Sequence, residues 1–252
     1  MIRTPHSSSI MPSSALGEFL GTAVLILLGN GVVAGVLLDE SKSKGAGWIV
    51  ITAGWALAVL SGVLVATSLG APGELNPAGT IANVLLGSRT TVDAVWHIGA
   101  QFAGAIVGAT LVWLHYFNHW PVTKDAGAIH ACFCTGPAIR STVPNLLSEA
   151  IATGVLILVA NAIGSKLVAG ASPATNLGPA LVGALVWGIG LSLGGPTGYA
   201  INPARDLGPR IAHAILPIAN KGYNDWGYSW IPVVGPIVGA MAAALLWKAV
   251  SV

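Results

Sequence analysis

A chain of 252 residues that is 54% hydrophobic and only 8% charged is not an ordinary soluble domain, which carries about 25% charged residues. Eleven Lys and Arg against nine Asp and Glu leave a formal net charge of +2 with no basic run, which argues against a nucleic-acid partner. The mean hydropathy of +0.76 points to an integral membrane protein.

Residues 1–13 are polar and carry Pro5 and Pro12, which predicts a flexible N-terminus. The first span covers residues 15–38 and contains one acid, Glu18. It is too long for a cleaved signal peptide and has no clear cleavage site. A charged loop leads to the second span, residues 47–69; about 20 apolar residues suffice to cross the hydrocarbon. The apolar run at 77–87 is too short to cross. The third span is read at 94–117. A long irregular loop, 118–142, holds both cysteines, Cys132 and Cys134, so no disulfide framework exists. Spans four and five follow at 144–163 and 177–193. A second short run, 203–216, precedes span six at 230–250. The 33 Gly suit close helix packing in lipid.

Each short run opens on the same three residues, Asn76-Pro77-Ala78 and Asn202-Pro203-Ala204. Asn is a good N-cap, and Pro is favoured at the first helical position, where its missing N–H would have no partner anyway. Both runs therefore read as re-entrant half-helices. The order is span, span, half-helix, span, twice over. The segments beginning at Leu16 and Leu147 match at a constant offset of 131, with Glu18 against Glu149. An odd number of spans per half inverts one repeat relative to the other, as in many transport folds. The expected organisation is a single all-α membrane domain with two repeats, residues 14–117 and 143–252, joined by the loop 118–142.

Irregular backbone at membrane depth is tolerated only where protein buries it or water lines it. The two half-helices should therefore meet near the midplane beside a polar passage. Each presents the positive end of its dipole there, and Asn76 and Asn202 add side-chain donors. Such a site repels cations and orients neutral hydroxyl-bearing solutes.

Both Asn-Pro-Ala boxes, the repeated Glu, and the run from Gly198 to Asp206 closely resemble the aquaporin and glycerol-facilitator family over residues 15–250. The resemblance implies six spans, two re-entrant half-helices and one pore per subunit of a homotetramer. It also implies a multi-pass protein of a bacterial cytoplasmic membrane, with both termini inside. The Lys and Arg count leans the other way, so the topology rests on the resemblance. It further implies a selectivity constriction at Trp55, Gly190, Tyr199 and Arg205. Gly190, where water-selective relatives usually place His, and Asp206 after the Arg favour the glycerol-conducting branch. Three positions depart from the family pattern. Gly79 stands where Val is common, Glu74 where His is usual, and Tyr199 where glycerol channels often have Phe.

The implied function is passive passage of glycerol and water without ions or protons. The departures leave room for dihydroxyacetone or protonated lactic acid, and inverted repeats with broken helices also serve ion-coupled transporters. No nucleotide loop, metal-ligand cluster or Ser/His/Asp arrangement suggests an enzyme, and nothing calls for a cofactor. Glu18 and Glu149 read as acceptors for re-entrant backbone N–H groups rather than a proton relay. His97 reads as a packing residue, and His130, Cys132 and Cys134 as a plain loop rather than a metal site. Trp48, Trp120, Trp226 and Trp230 read as interfacial anchors; Arg210 could brace the loop with Asp206, but an exposed face is the simpler account.

Overall fold

The computed structural model describes residues 13–165 and 173–251. The expected flexible stretch at residues 1–12 and the connection at 166–172 lie outside them. Among the described residues the chain forms nine helices. They are α1 (Ser13–Leu37), α2 (Trp48–Ser68), α3 (Pro77–Leu85), α4 (Thr91–His115), α5 (Ala126–Ala131), α6 (Thr142–Gly164), α7 (Pro173–Leu193), α8 (Pro203–Ile215) and α9 (Ile231–Val250).

Helices α1, α2, α4, α6 and α9 are long and apolar enough to cross a membrane. The sixth, α7, has 21 residues, or about 31 Å of helix, against roughly 30 Å of hydrocarbon. The expected half-helices are α3, of 9 residues, and α8, of 13 residues. Six spans and two re-entrant segments are thus in place. The one element the sequence reading missed is α5, in the loop 118–142. Asp125 caps it, its Oδ1 accepting the N–H groups of Gly127 (2.8 Å) and Ala128 (3.2 Å).

Packing follows the inverted repeat. In the first half α1 contacts α2 and α4; in the second α6 contacts α7 and α9. The halves join through α2 against α7 and through an exchange, α8 lying on α4 and α3 on α9. Each half-helix is therefore supported by a long helix of the other half. No hydrophobic force drives helices together in lipid, so close backbone approach supplies the contact energy. Gly104 and Gly108 set α4 on α1: a Cβ at either would come within 2.2 Å of the Phe19 carbonyl oxygen and 2.5 Å of the Ala23 oxygen, respectively. Gly235 and Gly239 do the same for α9 on α6, and a Cβ at Gly239 would lie 2.0 Å from the Ala150 carbonyl oxygen. The offset of 131 that relates Glu18 to Glu149 relates these glycine pairs as well.

Gly239→Val should therefore force α9 off α6. The overpacking cost is about 1–3 kcal/mol or more, and a lower unfolding midpoint in detergent, followed by fluorescence-detected size exclusion, is the expected result.

Candidate functional site

The two re-entrant segments are held by buried carboxylates. Leu75 and Ile201, each just before the Asn of its box, have φ of 50° and 45°. That conformation is costly for a side-chain-bearing residue, of order 1–3 kcal/mol, and it turns the backbone N–H groups away from any helix. Glu18 accepts them on the first side, from Glu74 (2.9 Å) and Leu75 (2.7 Å). Glu149 accepts them on the second, from Ala200 (3.0 Å) and Ile201 (2.8 Å). Both acids are fully buried, and Gln101 Nε2 also donates to Glu18 at 2.8 Å. This is the role the sequence suggested for them.

The carbonyls of the same strained residues face the opposite box. Asn76 Nδ2 donates to the Ile201 oxygen at 2.8 Å, and Asn202 Nδ2 donates to the Leu75 oxygen at 2.7 Å. Each Asn also caps its own helix: Asn76 Oδ1 accepts from Ala78 N (2.9 Å), and Asn202 Oδ1 from Ala204 N and Arg205 N (3.0 and 3.2 Å). Pro77 and Pro203 stand at the first helical position. A carboxamide nitrogen carries two hydrogens. One of each pair is used across the interface, and the other is free for the cavity that both Asn side chains line.

Three cavities lie in series through this point. The middle one, about 90 Å³, is walled by both Asn and by Leu25, Val59 and Val186. A chamber of about 400 Å³ opens on the α3 side, sharing Glu74 and Asn76 with it. A third of about 270 Å³ lies on the α8 side, and Trp55, Tyr199 and Arg205 border both it and the middle cavity. Those three side chains stand where the two cavities adjoin. The Arg205 guanidinium sits 3.9 Å from the Trp55 ring centroid, a cation–π contact. Trp55 is seated against α1 where a Cβ at Gly29 would meet its ring at 2.3 Å. Arg205 Nη1 and the Tyr199 hydroxyl are buried with no partner among the described residues.

Gly190 adjoins this constriction in a way the sequence did not reveal. A Cβ there would lie 2.9 Å from Tyr199 Cζ and 3.0 Å from its hydroxyl, and a Cβ at Gly194 would lie 2.5 Å from Tyr199 Cδ1. The two glycines form a groove occupied by the phenol ring, so the space that Gly190 opens is taken up by Tyr199. Trp48 closes the groove. Its ring meets Tyr199 edge-on at 5.8 Å, and its Nε1 donates to the Gly190 carbonyl at 3.0 Å. Its exposure of 42% fits an interfacial anchor, but its polar end points inward to the site.

A buried ion pair supports the Arg205 side. Asp206 Oδ1 accepts Arg210 Nε (3.0 Å) and Nη2 (2.8 Å), while its Oδ2 accepts the Thr135 N–H (2.7 Å) and hydroxyl (2.6 Å). Arg210 is fully buried, which corrects the expectation of an exposed face. Its other donors reach the carbonyls of Thr135 and Asn224 at 2.9 and 2.8 Å. Arg offers only donors, so its contact with His130 Nε2 at 3.3 Å makes that nitrogen an acceptor. Burial first, and Arg210 second, hold the His130 pKa below its ordinary value, consistent with a neutral ring. The loop 118–142 is thereby drawn inward, and Ala131, Cys134, Thr135 and Gly136 line the outer cavity. Trp120 is buried as well, donating to the Trp113 carbonyl at 2.8 Å, not an interfacial anchor as expected. Among the described residues no group of three or more His, Cys, Asp or Glu is placed to hold a metal ion.

On the α3 side, Glu74 is surrounded by donors: Thr80 Oγ1 (2.7 Å), Asn83 Nδ2 (2.8 Å) and Arg89 Nε (3.2 Å), with His97 Nδ1 at 3.4 Å. His97 is buried and also meets Ser14 Oγ at 3.1 Å.

The family model described as Major intrinsic protein matches residues 6–247. Glycerol uptake facilitator protein 3 of Lactiplantibacillus plantarum is 54% identical over 233 residues, 92% of this chain and 95% of that protein. A glycerol uptake facilitator protein of Streptococcus pneumoniae is 54% identical over 238 residues, 94% of this chain and 99% of that protein. The X-ray structure of the aquaglyceroporin from Plasmodium falciparum superposes with a TM-score of 0.82 at 30% identity, covering 94% of this chain and 96% of that one.

The buried pair yields a test. Arg210→Ala leaves Asp206 uncompensated, a change that costs about 3–5 kcal/mol at buried pairs, and frees the loop. Cys132 and Cys134 are free and buried, and burial pushes both thiols up, away from the reactive thiolate. In the intact protein neither should react with a maleimide at neutral pH; in Arg210→Ala both should label, as read by mass spectrometry.

Proposed function

The chain belongs to the major intrinsic protein family, and on that premise we propose that it is a passive channel for glycerol and similar small neutral polar solutes, together with water. The observation that carries this reading is the crossed pair of Asn side chains at the narrow middle of three cavities in series. A solute oxygen at that point meets two N–H donors and two positive helix ends. It accepts from both sides and cannot pass a proton along a hydrogen-bonded chain. The partly unsatisfied Arg205 adds a barrier to cations.

Selection among neutral solutes falls to Trp55, Tyr199, Gly190 and Arg205 in this reading. Arg205 offers N–H donors to solute hydroxyl groups, while Trp55 and Tyr199 wall the passage beside the carbon chain. The names of the bacterial relatives, glycerol uptake facilitators, support glycerol as the solute, and no observation favours lactic acid or dihydroxyacetone over it. Ion-coupled transport is disfavoured because the carboxylates of Glu18 and Glu149 are occupied by backbone N–H groups. The protein acts as a homotetramer in a bacterial cytoplasmic membrane. A shallow apolar groove between α2 and α7, lined by Ala53, Ala56, Ala180 and Gly183, suits such helix association.

Proteoliposomes should show fast, gradient-driven glycerol permeation by light scattering, without proton conductance. Equal rates with and without protein would overturn the proposal. Gly190→His displaces Tyr199 into the constriction and should reduce glycerol flux more than water flux; an unchanged ratio would remove Gly190 and Tyr199 from the filter.

A further inference from the structure

Most glycines in this bundle are dictated by contact or conformation; Gly79 is not, a freedom it shares with Gly31, Gly99, Gly188 and with Gly178, which borders the same chamber. A Cβ at Gly17, Gly21 or Gly29 would come within 3.0 Å of a neighbour. A Cβ at Gly79 would meet only Asn76 Cβ at 3.8 Å and Ile157 Cδ1 at 3.9 Å, ordinary van der Waals distances, and its φ is not positive. Glycine in a helix costs about 0.5–1 kcal/mol relative to alanine, and α3 has only 9 residues. Packing does not require the glycine, the backbone does not require it, and stability argues against it.

What lies beside it supplies the reason. Gly79 borders the chamber of about 400 Å³ on the α3 side, with Asn83, Ile157 and Asn161. Asn83 Nδ2 donates to Glu74 and Asn161 Nδ2 donates to the Ile157 carbonyl, which leaves two carboxamide oxygens as acceptors for hydroxyl groups. The other box supplies an independent indication. Gly79 follows Asn76-Pro77-Ala78 as Arg205 follows Asn202-Pro203-Ala204, and the Arg205 side chain forms part of the constriction. The third residue after the Asn is thus where a side chain enters the path.

We propose that Gly79 sets the size limit of the α3-side half of the path: by withholding a side chain, it opens a polyol-sized chamber directly onto the midplane. The proposal rests on the channel reading. It leaves selection by size to the middle cavity and its Trp55, Tyr199 and Arg205 wall, and it assigns passage of solutes longer than glycerol through the α3-side half to this bare wall.

The experiment is a permeability panel of water, glycerol, erythritol and ribitol on reconstituted full-length wild type, Gly79→Ala and Gly79→Val. In Gly79→Val, which adds three carbons, the glycerol and longer-polyol fluxes should fall at least roughly tenfold relative to water, the low end of what a single methylene carries in a fitted pocket. Gly79→Ala should unfold at a higher temperature than wild type, with a smaller drop that is largest for ribitol. Solute-to-water ratios unchanged in both variants would overturn the proposal. So would failure of both variants to accumulate, because the position would then not be free. Absence of glycerol flux in the wild type would instead sink the channel reading itself.

Discussion

Two carboxylates that accept backbone N–H groups make this architecture possible. A chain that enters the membrane, turns and leaves on the same side must expose peptide groups where no lipid can satisfy them. Glu18 and Glu149 take up those groups at Glu74, Leu75, Ala200 and Ile201. Because the N–H of Leu75 and of Ile201 is fixed, the carbonyl of each is aimed at the opposite Asn. Removing the carboxylates would therefore release the strained turns, the Asn orientation and the cap of each half-helix together. An acid in a span usually signals chemistry; here its oxygens hold backbone.

A second layer of support is unequal between the halves. Around Arg205, the Asp206–Arg210 pair gathers Thr135, Asn224 and His130, so a loop between the repeats becomes part of the pore wall. Lys221 Nζ donates to the carbonyls of His213, Ala214 and Leu216, satisfying the negative end of α8. On the other side Glu74 gathers Thr80, Asn83, Arg89 and His97, all from its own half.

The spans, half-helices and inverted repeat were legible because each has a sequence signal: apolar runs of fixed length, Asn-Pro-Ala at a cap, and a glutamate repeated at one offset. The roles of Glu18, Glu149 and His97 followed from the same logic. Arg210 and Trp120 were misread for one reason. In a chain this apolar, periodicity does not separate a lipid-facing position from an interior one, and a loop that folds inward has no periodicity. Helix α5, with 6 residues, is too short for any pattern; only Asp125 before it could have signalled a cap. The Trp48–Tyr199 contact depends on where Gly190 and Gly194 leave room, which is a property of three dimensions.

The exchange of half-helices, α8 on α4 and α3 on α9, also bears on how such a chain could arise. One half alone would leave its Asn without the facing carbonyl and its short helix without the long one that carries it. Two identical copies inserted in opposite orientations would satisfy both, so the interface is already that of a symmetric dimer. Joining the copies into one polypeptide relaxes the demand for identity. Paired positions can then drift apart: Glu74 corresponds to Ala200, and Gly79 to Arg205. A symmetric ancestor would carry two guanidinium groups or none. Only after fusion can one end of the pathway be charged and the other bare.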